Sequence, residues 1–141
     1  MAMPSLLRHR ERGTAAVEMA IVLPVLLFVT AAIIDFGRAF NAQILLSNAS
    51  REGARMMALG YTPADARQRV DDALAGAVPY AMPPPMPCPA APSSTDFASV
   101  TVSAPSFQWV ILGDVSRLFN SAGVPLSPPT ISSTGSMRCG G

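Results

Sequence analysis

The chain has no lysine, one histidine, one tryptophan and two cysteines, and only 13% of its 141 residues are charged. Each shortage removes a class of chemistry. Without lysine there is no Schiff-base or phosphate-binding ammonium group. The one histidine, His9, lies in an N-terminal basic patch. Cys88 and Cys139 stand too far apart for a short metal motif. There is no glycine-rich phosphate loop and no pair of carboxylates in a polar, cleft-like stretch. The sequence therefore reads as non-enzymatic, with no cofactor and no metal. Ten basic residues against nine acidic ones leave a net charge of +1, too small an excess to neutralise phosphates, so nucleic acid is not an expected partner. All the basic residues are arginine, which reads as compositional bias.

What is abundant is apolar. Half of the residues are hydrophobic and the mean hydropathy is +0.35, high for so short a chain and suggestive of a membrane segment. From Thr14 to Ile34 the only charge is Glu18. A helix of that length, at ~1.5 Å per residue, spans ~31 Å, about the hydrocarbon thickness of a bilayer. Arg8, Arg10 and Arg12 precede it, while Asp35 and Arg38 follow and the next basic residue is Arg51. That asymmetry places the N-terminus in the cytoplasm and the chain beyond Ile34 outside. Pro24 removes one backbone hydrogen bond, which transmembrane helices tolerate.

Three readings compete for this segment. One is a secretory signal with small residues at Val29-Thr30-Ala31 for cleavage; Glu18 inside the apolar run and the helical pattern beyond it speak against that. The second is an uncut anchor in which Glu18 sits near the membrane surface and does little. The third gives the acid a purpose. Gly13 is followed by Thr14-Ala15-Ala16-Val17-Glu18 and an unbroken apolar run, which resembles the type IV prepilin cleavage site. The stretch "RGTAAVEMAIVLPVLL", with "ASREGARMMA" at residues 49–58 and "ISSTGSMR" at residues 131–138, resembles TadE-like proteins of the tight-adherence (Flp) pilus system still more closely.

The resemblance implies that a prepilin peptidase cuts after Gly13 and that the apolar helix is kept as a membrane anchor. It also implies that Glu18 pairs with the new amino group at Thr14 of a neighbouring subunit, so that charge inside the bilayer sets assembly register. Independently of the resemblance, a carboxylate in the first turns of a helix starting at Thr14 complements the positive end of the helix dipole. Main Flp pilins carry Tyr after this Glu. Here the residue is Met19, which favours a pseudopilin over the major pilin.

Beyond Ile34 the pattern continues as a helix to about Leu59-Gly60. Phe36, Phe40 and Ile44 read as its apolar side, and Arg38, Asn41, Asn48, Glu52 and Arg55 as its polar side. An anchor helix and a separate amphipathic helix, bent at residues 35–38, would give the same pattern. Thr62-Pro63-Ala64-Asp65 is a helix start, followed by an apolar face of Ala66, Val70, Ala73, Leu74 and Ala77 and an expected Asp65–Arg69 pair. Between Pro79 and Pro92, seven of fourteen residues are proline, the composition of an extended, stiff spacer. Ala98, Val100 and Val102 alternate with Ser99, Thr101 and Ser103 as a half-buried strand. Phe107–Leu112 fits strand or helix equally. Val115, Leu118 and Phe119 have helical spacing with Gly123 as a stop, and Thr130 to Arg138 reads as a last strand. If the module faces an oxidising compartment, a Cys88–Cys139 disulfide closes a loop of about 51 residues, worth ~4 kcal/mol in the chain-entropy account. Otherwise both remain thiols.

The expected architecture is α+β. It comprises a basic leader (1–13), a transmembrane helix (14–34), an amphipathic extension (35–60), a short helix (61–78), a proline-rich spacer (79–92) and a small, disulfide-linked, β-rich C-terminal module (93–141). The expected role is a single-pass inner-membrane pseudopilin or minor pilin, its module periplasmic or extracellular. Its expected partners are the prepilin peptidase, other pilins or pseudopilins, the inner-membrane assembly machinery and the lipid bilayer. A secreted binding module starting at Ala32 and an uncut bitopic adaptor are the alternatives.

Overall fold

The structure is a computed structural model that describes residues 5–114 and 128–139, with side chains from residue 14 onward. Helix α1 runs from Ser5 to Ala58 and helix α2 from Pro63 to Leu74; strands β1, Phe97–Ala104, and β2, Ile131–Arg138, form one antiparallel sheet. The chain divides into two compact units: Met1–Asp35 with Val110–Leu126, and Phe36–Trp109 with Ser127–Gly141. The helix expected at Val115, Leu118, Phe119 and Gly123 lies outside the described residues.

In the second unit α1 turns a narrow face inward. Ala42, Leu46, Ala49, Ser50, Gly53, Ala54 and Met57 are buried, at the three- and four-residue spacing of one helical face. Phe36, Phe40 and Ile44, the expected apolar side, are instead 50%, 67% and 60% exposed. The reason is size. β2 crosses so close to the helix backbone at Ser50 and Arg51 that only small side chains fit at the crossing, while Leu46 and Met57 enter the core to either side of it. Asn48-Ala49-Ser50 matches a glycosylation sequon, but it lies within helix α1 and not in a loop.

The helix ends in a Schellman motif: Gly60, at φ +82°, donates its N–H to the Met57 carbonyl, and the Tyr61 N–H reaches back to Met56. Two residues later α2 opens with a capping box. The Thr62 hydroxyl accepts from the Asp65 N–H at 3.2 Å, and the Asp65 carboxylate accepts the Thr62 N–H at 3.0 Å. The Thr62 hydroxyl also donates to the Asp65 carboxylate at 2.6 Å, and this bond first, then the one from the Thr62 N–H, holds the Asp65 carboxyl below its ordinary value of 3.8. A carboxyl depressed on folding adds stability above its unfolded pKa and loses it as pH falls through the folded one. The expected Asp65–Arg69 pair does not form, because Asp65 serves the cap and Arg69 lies 3.7 Å from Glu52 of α1. Thr62→Ala should lower the stability of the unit by about 1 kcal/mol. In thermal melts below pH 4 it should also show a smaller acid-induced loss than the wild type, because only the backbone N–H bond to the Asp65 carboxylate remains.

Ala66, Val70 and Leu74 of α2 enter one core with the α1 face and with Ala98, Val100, Val102, Ala104 and Ile131 of the sheet. β1 alternates as its sequence requires, every second residue buried. It pairs with β2 from Phe97↔Arg138 to Ala104↔Ile131. The proline-rich stretch lies along the other edge of β1. Ala81 exchanges both backbone hydrogen bonds with Ser103, and Met86 with Ser99. These two residues keep the N–H that proline lacks, so pairing survives at isolated points where a full strand cannot form. Side chains of α2 hold the same stretch: Arg67 donates to the Met82 carbonyl at 3.1 Å, and the Tyr80 hydroxyl donates to Asp71. Burial, and then the Asp71 carboxylate, push the Tyr80 hydroxyl up to about 12.

Candidate functional site

Two surfaces of α1 bear on function: the apolar helix of the first unit and the helix face that carries the second. In the first unit, residues 14–30 are exposed throughout except for Pro24, which is half-buried. Ile21 is 69% exposed and Leu26 62%. Exposed apolar surface costs about 25 cal/mol per Å² in water, and a continuous band of it needs a bilayer or other helices as its solvent. α1 holds a stretch long and apolar enough to cross a membrane. The helix passes through Pro24 without interruption. Thr30 returns its hydroxyl to the Leu26 carbonyl at 2.8 Å, which satisfies a polar group without a partner helix.

Gly13 and Thr14 lie within the helical backbone, and Glu18 is exposed on it, flanked by exposed Val17 and Met19. Thr14 and Glu18 are four residues apart. An amino group created at Thr14 would thus stand on the same helix face as the carboxylate, one turn away. The apolar helix presents Glu18 as the one acid along its exposed band.

At the end of that band stands a residue that sequence reasoning passed over. Asp35 is fully buried. Its carboxylate accepts the backbone N–H groups of Val110 at 3.3 Å, Ile111 at 2.9 Å and Leu112 at 2.7 Å. Residues 107–109 have no regular structure, and a helical turn opens at Leu112. Three charge-assisted bonds offset the cost of burying an acid beside an apolar run. The bonds also fix residues 110–112 against α1. The partners are backbone groups 75 to 77 residues away and leave no mark in side-chain composition. The available signal was a carboxylate directly after an apolar run, a position that calls for compensation.

In the second unit β2 rests on the backbone of α1. A Cβ at Gly135 would fall 2.2 Å from the Ser50 carbonyl oxygen, and one at Gly53 would fall 2.9 Å from Val70 and 3.1 Å from Val100. Polar contacts lock the same crossing: the Ser50 hydroxyl lies 3.2 Å from that of Ser133, and Gln43 donates to the Ser132 carbonyl at 3.2 Å. Cys88 and Cys139 are disulfide-bonded with Cα atoms 5.8 Å apart, so the end of β2 is tied to the proline-rich stretch. The turn before β1 supports this junction. Asp96 accepts from the Ser93 N–H and hydroxyl, which hold its carboxyl below the ordinary range, and its own carbonyl accepts the Cys139 N–H at 2.9 Å. Among the described residues no group of three or more His, Cys, Asp or Glu is placed to hold a metal ion.

Residues 13–55 match the family described as TadE-like protein. The match opens at Gly13, covers the whole exposed apolar band with Glu18 and Asp35, and runs into the α1 face on which β2 rests. No curated protein and no solved structure matches the chain.

Proposed function

We propose that this chain is a membrane-anchored pseudopilin or minor pilin of a tight-adherence pilus, acting by helix packing rather than catalysis. The observation that carries the reading is that the TadE-like segment, residues 13–55, contains an apolar helical stretch, residues 14–30, left bare in the fold. On this reading the prepilin peptidase removes residues 1–13 on the cytoplasmic side and the helix from Thr14 remains in the inner membrane. The disulfide-bonded unit then lies on the oxidising side, which agrees with the arginine asymmetry around the span. Glu18 meets the Thr14 amine of a neighbouring pilin-like helix. In hydrocarbon an ion pair of this kind fixes register, because every displaced register leaves both charges unpaired.

Processing is tested at Gly13. When the full chain is produced together with a prepilin peptidase, the wild type should convert to a shorter form. Gly13→Leu, which puts a bulky side chain at the scissile position, should stay at full length, with both forms in the membrane fraction. Conversion of Gly13→Leu at the wild-type rate would remove the processing site from the proposal.

A further inference from the structure

The second unit carries an aromatic cluster at the edge of its core, against which Phe107 is partly packed. Phe36 and Trp109 meet edge to face with ring centroids 5.4 Å apart, Phe107 and Trp109 do the same at 5.9 Å, and the Arg38 guanidinium carbon lies 5.9 Å from the Phe107 ring centroid. Phe36 is half exposed, and Phe40, one turn further on, is 67% exposed. Trp109 is itself only partly buried, and among the described residues its indole N–H has no protein acceptor.

The position of the cluster along α1 is telling. Phe36 comes two residues after Ile34, the last residue of the apolar run, which is ~3 Å of helix rise. If residues 14–34 span a bilayer, these rings fall at the level of the lipid headgroups. The chemistry fits that layer. An indole has an apolar body for the acyl edge and an N–H for glycerol and phosphate oxygens. A groove built for another helix would favour small residues and close backbone approach, whereas the side chains here are large and amphipathic.

We infer that Phe36, Phe107 and Trp109 form a lipid-facing collar, which holds the second unit against the bilayer surface. The inference rests on the membrane-spanning reading proposed above. It makes the unit a membrane-seated body instead of one tethered freely by α1, and so sets the height at which the unit meets other pilus components.

Trp109 is the only tryptophan in the chain and reports its own environment. The full protein is reconstituted in vesicles of phosphatidylcholine and phosphatidylglycerol carrying lipids brominated either near the headgroup or near the bilayer centre. Shallow bromines should quench Trp109 about twofold more strongly than deep ones, and aqueous iodide should quench it weakly. A second chain, Trp109→Phe with Phe28→Trp, reports on the span alone and should be quenched most by deep bromines. If that reporter is quenched deep while Trp109 is quenched by iodide and by neither lipid, the collar is wrong and the span stands. Protection of Trp109 from iodide and from both lipids would mean that a protein partner covers it, which also overturns the collar. If the Phe28→Trp reporter sees no lipid, the membrane reading itself fails and takes the collar with it.

Discussion

Replacing Glu18 with alanine should abolish pilus assembly while leaving cleavage after Gly13 largely intact. The two outcomes separate because cleavage and assembly use different features. The peptidase acts at the glycine, whereas the carboxylate is needed only when helices meet. Glu18 is exposed among apolar neighbours in the folded chain and its side chain makes no hydrogen bond or ion pair among the described residues, so its loss should leave the second unit folded. In the assembled state the mutation would strand a neighbour's ammonium group in hydrocarbon. Breaking a buried pair by removing one partner costs about 3–5 kcal/mol, which is more than about a hundredfold in an association constant. Pilus counts should therefore fall to background. Glu18→Gln, which keeps the shape and loses the charge, should fail almost as badly. Normal piliation by either variant would sink the register role.

The second large effect is expected at Gly135. A methyl group there would meet the Ser50 carbonyl oxygen at 2.2 Å, the Ser50 carbonyl carbon at 2.4 Å and the Arg51 nitrogen at 2.6 Å. All three are backbone atoms of α1, so no side chain can rotate aside. Either β2 lifts from the helix or the sheet slips, and in both cases the core loses its lid. Overpacking of ordinary side-chain contacts costs about 1–3 kcal/mol, and a clash with backbone should exceed that. Gly135→Ala should lower the melting temperature of the full chain in detergent by roughly 12 °C or more. Gly53→Ala is the graded companion. Its methyl meets Val70 and Val100 side chains, which can shift, and it gains about 1 kcal/mol of helix propensity. It should be close to neutral, with a loss of about 1–2 kcal/mol at most. A Gly135→Ala chain that melts with the wild type would show that β2 does not depend on this close approach.

Local rules made several of these features legible in the sequence. Thr62-Pro63 with Asp65 wrote a capping box, Gly60 marked the end of α1, and the alternation of residues 98–103 gave β1 and its buried face. The Cys88–Cys139 bond was also expected and is formed. What escaped was set by contacts distant in sequence. The inward face of α1 was read from its largest residues, Phe36, Phe40 and Ile44, but close packing selected Ala42, Ala49 and Gly53. Gly135 could be seen in "ISSTGSMR", yet nothing local says that a helix backbone passes over it. The prolines between residues 79 and 92 suggested a stiff spacer, while Ala81 and Met86 supply enough N–H groups to line the edge of β1. Asp35 was legible only as a charge after an apolar run. Of the candidate site residues, Gly13, Thr14 and Glu18 owe their interest to sequence pattern, and their folded surroundings supply only exposure and a shared helix face.

The measurement closest to the central claim is the intact mass of the mature chain extracted from membranes of cells that build the pilus. A chain beginning at Thr14 is the predicted result. It would mean that the apolar helix is processed as a prepilin and kept, with the new amine one turn from Glu18. A chain beginning at Ala32 would make the same helix a discarded export signal, and one beginning at Met1 or Ala2 an uncut anchor. Either would contradict the account.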